Sequence, residues 1–347
     1  MRAVVYKAYG RTPKVREVAT PEPPPGGAVI KVGASGVCRS DWHAWQGHDP
    51  VPLPHIPGHE FAGVVAAVGK KVKQASVGDR VTAPFVYGCG RCDYCRHGDA
   101  QVCPAQTQPG FSHDGSFAEY VVVNGADTNL VPLPPKVSMT AAAALGCRFA
   151  TAYRAMVHHG RVTADQTVAV FGCGGVGLSS VMIAQALGAR VIAVDISPLA
   201  LDTAADLGAA ETVRADASDP AAVIHDLTEG GAHVTVDAIG SPQILATAVR
   251  SLRRRGRHVQ VGLLLGEHAS AAIPMDQVIS RELELYGSHG MPAVEYPPML
   301  DLIVKGKLRP DRLVGRTITL DEAPAALEAM NEPTGQPGLT VIDFAAR

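Results

Sequence analysis

Four cysteines in the spacing C-x₂-C-x₂-C-x₇-C constrain this chain more than any other feature: Cys89, Cys92, Cys95 and Cys103, within GCGRCDYCRHGDAQVC. Gaps this short, punctuated by glycine, let the sulfurs converge on one point, and four thiolates make a closed tetrahedral zinc site. Such a centre leaves no position open to a substrate. The metal is therefore expected to staple a lobe, and any chemistry must come from elsewhere. Two disulfides are the alternative use of the same thiols. The opening residues, MRAVVYKAYGRTPKV, hold no apolar run of signal-peptide length, so a reduced, cytoplasmic chain is expected instead.

Composition excludes several classes. With 347 residues the chain suits two domains of ordinary size. Hydrophobic residues at 46% and charged residues at 18% fit a folded globular protein. A formal charge of −2 leaves no footprint for nucleic acid or an anionic membrane. No apolar run approaches the ~20 residues of a membrane span.

The first part, to about residue 145, reads as short β-branched runs (VVYKA, AVIKVGASGV, FAGVVAAVG, DRVTAPFV) broken by proline and glycine, a mostly-β lobe. After Pro134 and Pro135 the texture changes. An alanine-rich helical stretch is followed by strands and helices in alternation, which specifies a doubly wound parallel sheet. The tail from about Pro292 carries two helical stretches, PPMLDLIVKG and DEAPAALEAM, and a strand-like GLTVIDF. Periodicity leaves open whether that tail returns to the first lobe.

Gly172, Gly174, Gly175 and Gly177 form G-x-G-G-x-G directly after the strand TVAVF and before a helix. That context suits a dinucleotide: a tight turn at Gly172, backbone approach to a pyrophosphate at Gly174, and close strand–helix packing at Gly177. The helix N-terminus then offers free N–H groups to the phosphates. Asp195 ends the next strand, where an acid would hydrogen-bond the adenosine ribose and repel a 2′-phosphate. NAD is expected rather than NADP.

CRSDWH at 38–43, GHE at 58–60 and GCRFAT around Cys147 hold the residue types of an open, catalytic zinc site. Each is ordinary alone, and spacing does not select Cys147, more than a hundred residues beyond Cys38. In order, however, CRSDWH, PGHE, GCGRCDYC, LGCRFAT, GCGGVG and VDIS resemble the zinc-dependent medium-chain alcohol dehydrogenases along the whole chain.

That resemblance implies a GroES-like mostly-β catalytic domain at 1–147 with both zinc sites, and a Rossmann coenzyme domain at 148–288. Residues 289–347 would complete the catalytic domain. Cys38, His59 and Cys147 would hold a catalytic zinc, giving two zinc ions per chain. Asp41 would orient His59, and Glu60 would sit behind the metal. The proton would leave through Ser40, the cofactor ribose and His43. Arg39 would meet the pyrophosphate, Thr151 and Val176 the nicotinamide, and Trp45 and Phe85 the substrate. Two departures stand out. The stretch 334–341, TGQPGLTV, lacks the basic residue some relatives use for pyrophosphate, and His289 replaces another residue type near the nicotinamide. The implied protein is a homodimer or homotetramer that interconverts a primary or secondary alcohol with an aldehyde or ketone. A polyol dehydrogenase of the same superfamily and a non-catalytic nucleotide-binding protein are the alternatives.

Overall fold

The computed structural model describes residues 1–332 and 338–346, so the first half of the 334–341 stretch, 334–337, lies outside the described residues. The chain forms two compact units, one of Met1–Ala150 with the C-terminal segment from Gly290, the other of Thr151–His289. The first division falls a few residues later than the one drawn from sequence, at 147/148. Arg148 falls in the first unit, where its side chain is bound to Glu60.

A seven-stranded sheet organises the first unit. Its order is Val314–Ile318, Leu339–Asp343, Ala28–Val37, Glu60–Val68, Arg80–Thr82 and Val131–Pro132, with Tyr120–Val123 also paired to Ala28–Val37. The tail does return: Leu339–Asp343 runs antiparallel to Ala28–Val37, pairing Thr340 with Val37. Ala28, Ile30, Val32, Phe61, Val65 and Val81 fill one core of this unit. Two register shifts between Ala28–Val37 and Glu60–Val68 bend the pair. The same pairing sets Gly36 opposite Glu60. Cys38, just past the end of one strand, and His59, just before the other, are thereby delivered to the same end of the sheet.

The second unit is a six-stranded, all-parallel sheet. Its order is Glu211–Arg214, Arg190–Asp195, Thr167–Phe171, Ala232–Asp237, Leu252–Gln260 and Glu284–Gly287. This is the doubly wound order in which the first strand in sequence lies at the centre, beside the switch in direction. Thr167–Phe171 is buried along its whole length, as a central parallel strand with helices on both faces requires. It runs into the glycine turn and the helix Gly175–Ala186. Among the described residues no helix is long and apolar enough to cross a membrane.

Candidate active site

Three elements of the first unit converge on one point. Cys38 caps the helix Arg39–Gln46. His59 precedes the strand Glu60–Val68, and Cys147 lies in the π-helical turn Leu145–Phe149. Such a turn widens the helix by one residue and recurs at functional positions. One ligand atom from each of the three residues lies within 4.8 Å of the others. Asp41 ties two of the segments together. Its Oδ2 accepts from the Cys38 N–H at 3.0 Å; its Oδ1 accepts from the Gly58 N–H at 3.0 Å and lies 2.8 Å from His59 Nδ1. Asp41 is fully buried.

With Nδ1 held by the carboxylate, the free nitrogen of His59 is Nε2, and it has no hydrogen-bond partner among the described residues although it is buried. A buried polar atom without a partner is costly, and one aimed at two thiols fits a metal ligand. Two thiols and an imidazole whose far nitrogen is held by a carboxylate make a donor set that zinc accepts. Burial opposes a charged His59, but Asp41 outweighs it and raises the proton affinity of the ring. The hydrogen bond from Cys147, with Arg148 and His59 nearby, pulls the Cys38 thiol well below its ordinary range, against the effect of burial.

Behind these ligands lies an ion pair that the sequence reading did not foresee. Glu60 accepts from the Arg148 backbone N–H at 3.0 Å, from its Nε at 3.2 Å, and from its Nη2. The Glu60 side chain is wholly buried, and that of Arg148 nearly so. Burial pushes the carboxyl up from its usual range, and Arg148 works against that shift. Gly36 makes room for the pair: a Cβ there would stand 2.7 Å from Glu60 Oε2 and 3.1 Å from Arg148 Nη2. The available signal was an arginine inside the apolar run AAAALGCRFATAY, following Cys147 directly.

Ser40 and His43 both lie on the helix that Cys38 caps. The Cys38 thiol approaches Ser40 Oγ at 3.9 Å. His43 Nδ1 lies 3.2 Å from Nδ1 of His48, a neighbour the sequence reading missed. The His59 ring meets Phe85 edge-on at 6.1 Å and also Phe111 at 5.4 Å, so a half-buried aromatic wall stands beside the ligand cluster. Trp45 requires correction. It is 1% exposed, packs with Tyr6, Ala44, Val51 and Leu327, and donates from Nε1 to the Arg11 carbonyl at 2.8 Å. A ring sealed in this way is core, with no face for a substrate. Arg39 is exposed and donates from Nη1 to the Met330 carbonyl at 2.5 Å, its guanidinium 4.8 Å over the Trp42 ring.

Sγ atoms of Cys89, Cys92, Cys95 and Cys103 form the second cluster, all within 4.8 Å of one another. Cys92 and Cys103 are 3.7 Å apart, close to the ~3.8 Å edge of a tetrahedron with zinc–sulfur bonds of about 2.3 Å. Cys92 caps the helix Asp93–Arg96, and its sulfur accepts from the Cys95 N–H. The N–H groups of Arg91 and Cys92 lower the Cys89 thiol to about 6, which favours the thiolate that a metal needs. All seven cysteines are free, and six fall into the two clusters. The seventh, Cys173, is buried in the glycine loop of the second unit.

In that loop Gly172 has a φ of 93°, and a Cβ on Gly177 would stand 1.7 Å from the Gly172 carbonyl oxygen, so only glycine lets helix and turn meet. A Cβ on Gly174 would meet nothing within 4 Å, which leaves the space in front of the loop open for a pyrophosphate. Gly175 begins the helix and Val176 follows, half-buried; Thr151, buried, opens the unit. Asp195 is tied to the loop: its Oδ2 accepts from the Cys173 N–H at 2.6 Å and its Oδ1 from the Ser197 N–H at 2.9 Å.

Comparison with known proteins agrees with both units. Residues 24–135 match the alcohol dehydrogenase GroES-like domain, and residues 175–305 match the zinc-binding dehydrogenase domain. An alcohol dehydrogenase of Geobacillus stearothermophilus is 33% identical over 96% of each chain. A sorbitol dehydrogenase of Halalkalibacterium halodurans is 32% identical over 95% of this chain and 96% of its own. The solved structure of the alcohol dehydrogenase TADH from Thermus sp. ATN1 superposes over 99% of both chains with a TM-score of 0.92 at 32% identity. The chain belongs to the zinc-type medium-chain alcohol dehydrogenase family. It is a zinc-dependent alcohol oxidoreductase whose substrates are small-molecule alcohols.

Proposed function

We propose that this enzyme oxidises a primary or secondary alcohol with NAD⁺, reversibly, as a cytoplasmic homo-oligomer carrying two zinc ions per chain. The observation that carries the reading is the orphaned, buried His59 Nε2 aimed at Cys38 and Cys147. Those three residues would hold the catalytic zinc, and Cys89, Cys92, Cys95 and Cys103 the structural one. When bound, zinc acidifies an alcohol hydroxyl and the nicotinamide accepts a hydride. The chain supplies the rest. Asp41 fixes the tautomer of His59, while Phe85 and Phe111 give the ligand cluster an apolar wall that favours aliphatic or aromatic alcohols over polyols. Turnover of an aliphatic, benzylic and polyol panel tests this, and preference for a polyol would overturn it.

Ser40, beside Cys38, would take the alcohol proton, and His43 would receive it nearer solvent. Ser40→Ala is expected to lower kcat by at least about a hundredfold with zinc retained. His43→Gln should lose less, chiefly at low to neutral pH, and recover when imidazole is added, because buffer can replace an outer acceptor. Rate constants against pH check this. Equal, unrescued losses at every pH would remove His43 from the path.

Cofactor choice follows from Asp195. Each of its oxygens receives one backbone donor and keeps capacity for a ribose hydroxyl, while its charge repels a 2′-phosphate. Charge-assisted contacts contribute about 1.5–3 kcal/mol each. Asp195→Ser with Ile196→Arg should therefore shift the ratio of kcat/KM for NAD⁺ over NADP⁺ by more than about tenfold. A wild type that prefers NADP⁺ contradicts the assignment.

A further inference from the structure

His43 is one of a pair. Its Nδ1 lies 3.2 Å from His48 Nδ1, the ring centroids are 5.4 Å apart, and both rings stand edge-on to Trp42 at 5.0 and 5.3 Å. The end of the helix builds this pair. Gly47 closes the helix in the left-handed region, at a φ of 79°, and the His48 N–H donates to the His43 carbonyl at 2.9 Å, folding one ring back onto the other. Trp42 is fixed in turn by Asn331, whose Oδ1 accepts from Nε1 at 2.8 Å. His43 is half-buried and His48 is exposed.

Two neutral imidazoles at this distance share one proton, one nitrogen donating and the other accepting. We propose that His48 receives the proton from His43 and releases it to water, so that the exit path is a relay of two histidines. This rests on His43 acting as a proton acceptor in the reading above. Before transfer, His43 carries its proton on Nδ1 and donates to His48 Nδ1, while His48 carries its own proton on Nε2. The incoming proton bonds to His43 Nε2. The His43 Nδ1–H bond then breaks as that proton bonds to His48 Nδ1, and the Nε2 proton of His48 leaves to water. Each ring gains one proton and loses one, and exchange with solvent resets the tautomers. Burial is the main influence holding His43 below its ordinary range. His48 and Arg39 add to it, and Cys38 and Asp49 oppose it. A neutral His43 is thus available near pH 7, and a neighbour that takes its proton keeps it so.

The test is the single-turnover rate of NADH formation by the full, zinc-loaded chain, with the best alcohol of the panel, from about pH 6 to about pH 9. His48→Gln can still accept the hydrogen bond of His43 but cannot take up a proton on one atom and release another; His48→Ala can do neither. Both should slow the step about threefold to tenfold below pH 7, a small part of the roughly 10²–10⁴-fold range of acid–base catalysis. Both should converge on wild type at high pH, respond to added imidazole, and add nothing to His43→Gln. A second readout is ring ¹⁵N NMR of the protein without substrate. Wild type should show the His43 Nδ1 signal of a ring hydrogen-bonded to a second imidazole, and His48→Gln should change that signal. A His48→Gln variant that matches wild type at every pH overturns the inference, as does a loss that persists beside His43→Gln. Should His43→Gln itself leave the pH profile unmoved, the acceptor role of His43 fails and the second histidine falls with it. A loss in His43→Gln alone removes only His48.

Discussion

Cys147→Ser is expected to leave the chain folded and to remove alcohol oxidation entirely, while Cys92→Ser should unfold or strip the structural lobe. The difference follows from what surrounds each thiol. Cys147 lies in a helical turn whose neighbours Leu145, Gly146, Arg148 and Phe149 are buried, so the fold around it does not depend on metal. Cys92 caps a helix of only four residues with no buried side chain, and such a segment has no apolar core of its own. Structural zinc contributes folding free energy outright, whereas catalytic zinc occupies a site already built. Elemental analysis should find about two zinc ions per wild-type chain, one removed far more readily by chelators. The check is zinc content, thermal midpoint and activity on both variants. Equal behaviour of the two would overturn the division of roles.

Arg148→Ala should lower the stability of the chain substantially. It leaves the Glu60 carboxylate in a wholly buried position without its two guanidinium donors, and breaking a buried pair in this way costs about 3–5 kcal/mol. One donor, the backbone N–H, survives the substitution, which favours the lower end of that range. Urea midpoints measure the loss. Glu60→Gln combined with Arg148→Met should recover much of it, because a pair removed together leaves no uncompensated charge. A cost for Arg148→Ala below about 1 kcal/mol would place the pair with weak surface bridges and contradict the burial seen here.

How far the site could be read from sequence depended on the distance over which its parts are related. Cys89, Cys92, Cys95 and Cys103 announce themselves because their spacing is local and only a metal uses it well. Gly172 to Gly177 do so because strand, turn and helix are contiguous. Cys38, His59 and Cys147 are joined only by tertiary pairing, here the register that sets Gly36 against Glu60, and resemblance alone could group them. Trp45 was placed at the substrate by resemblance alone, while in this chain the helical period turns its ring to Tyr6 and Leu327. His48 was missed for the opposite reason: a left-handed glycine folds it back against His43, and nothing in the residue types signals that contact.

The hydrogen bond between Asp195 and the Cys173 amide has a consequence for how such an enzyme changes over evolution. The carboxylate assigned to choose between dinucleotides also braces the turn that would hold their pyrophosphate. A lineage drifting from one coenzyme to the other by replacing Asp195 would loosen the grip on both before it gained a preference for either. On that account the intermediate genotype should bind every dinucleotide more weakly, and single substitutions would cross between the two preferences only at a loss. A second change that restores a partner for that amide is the step that would open the route.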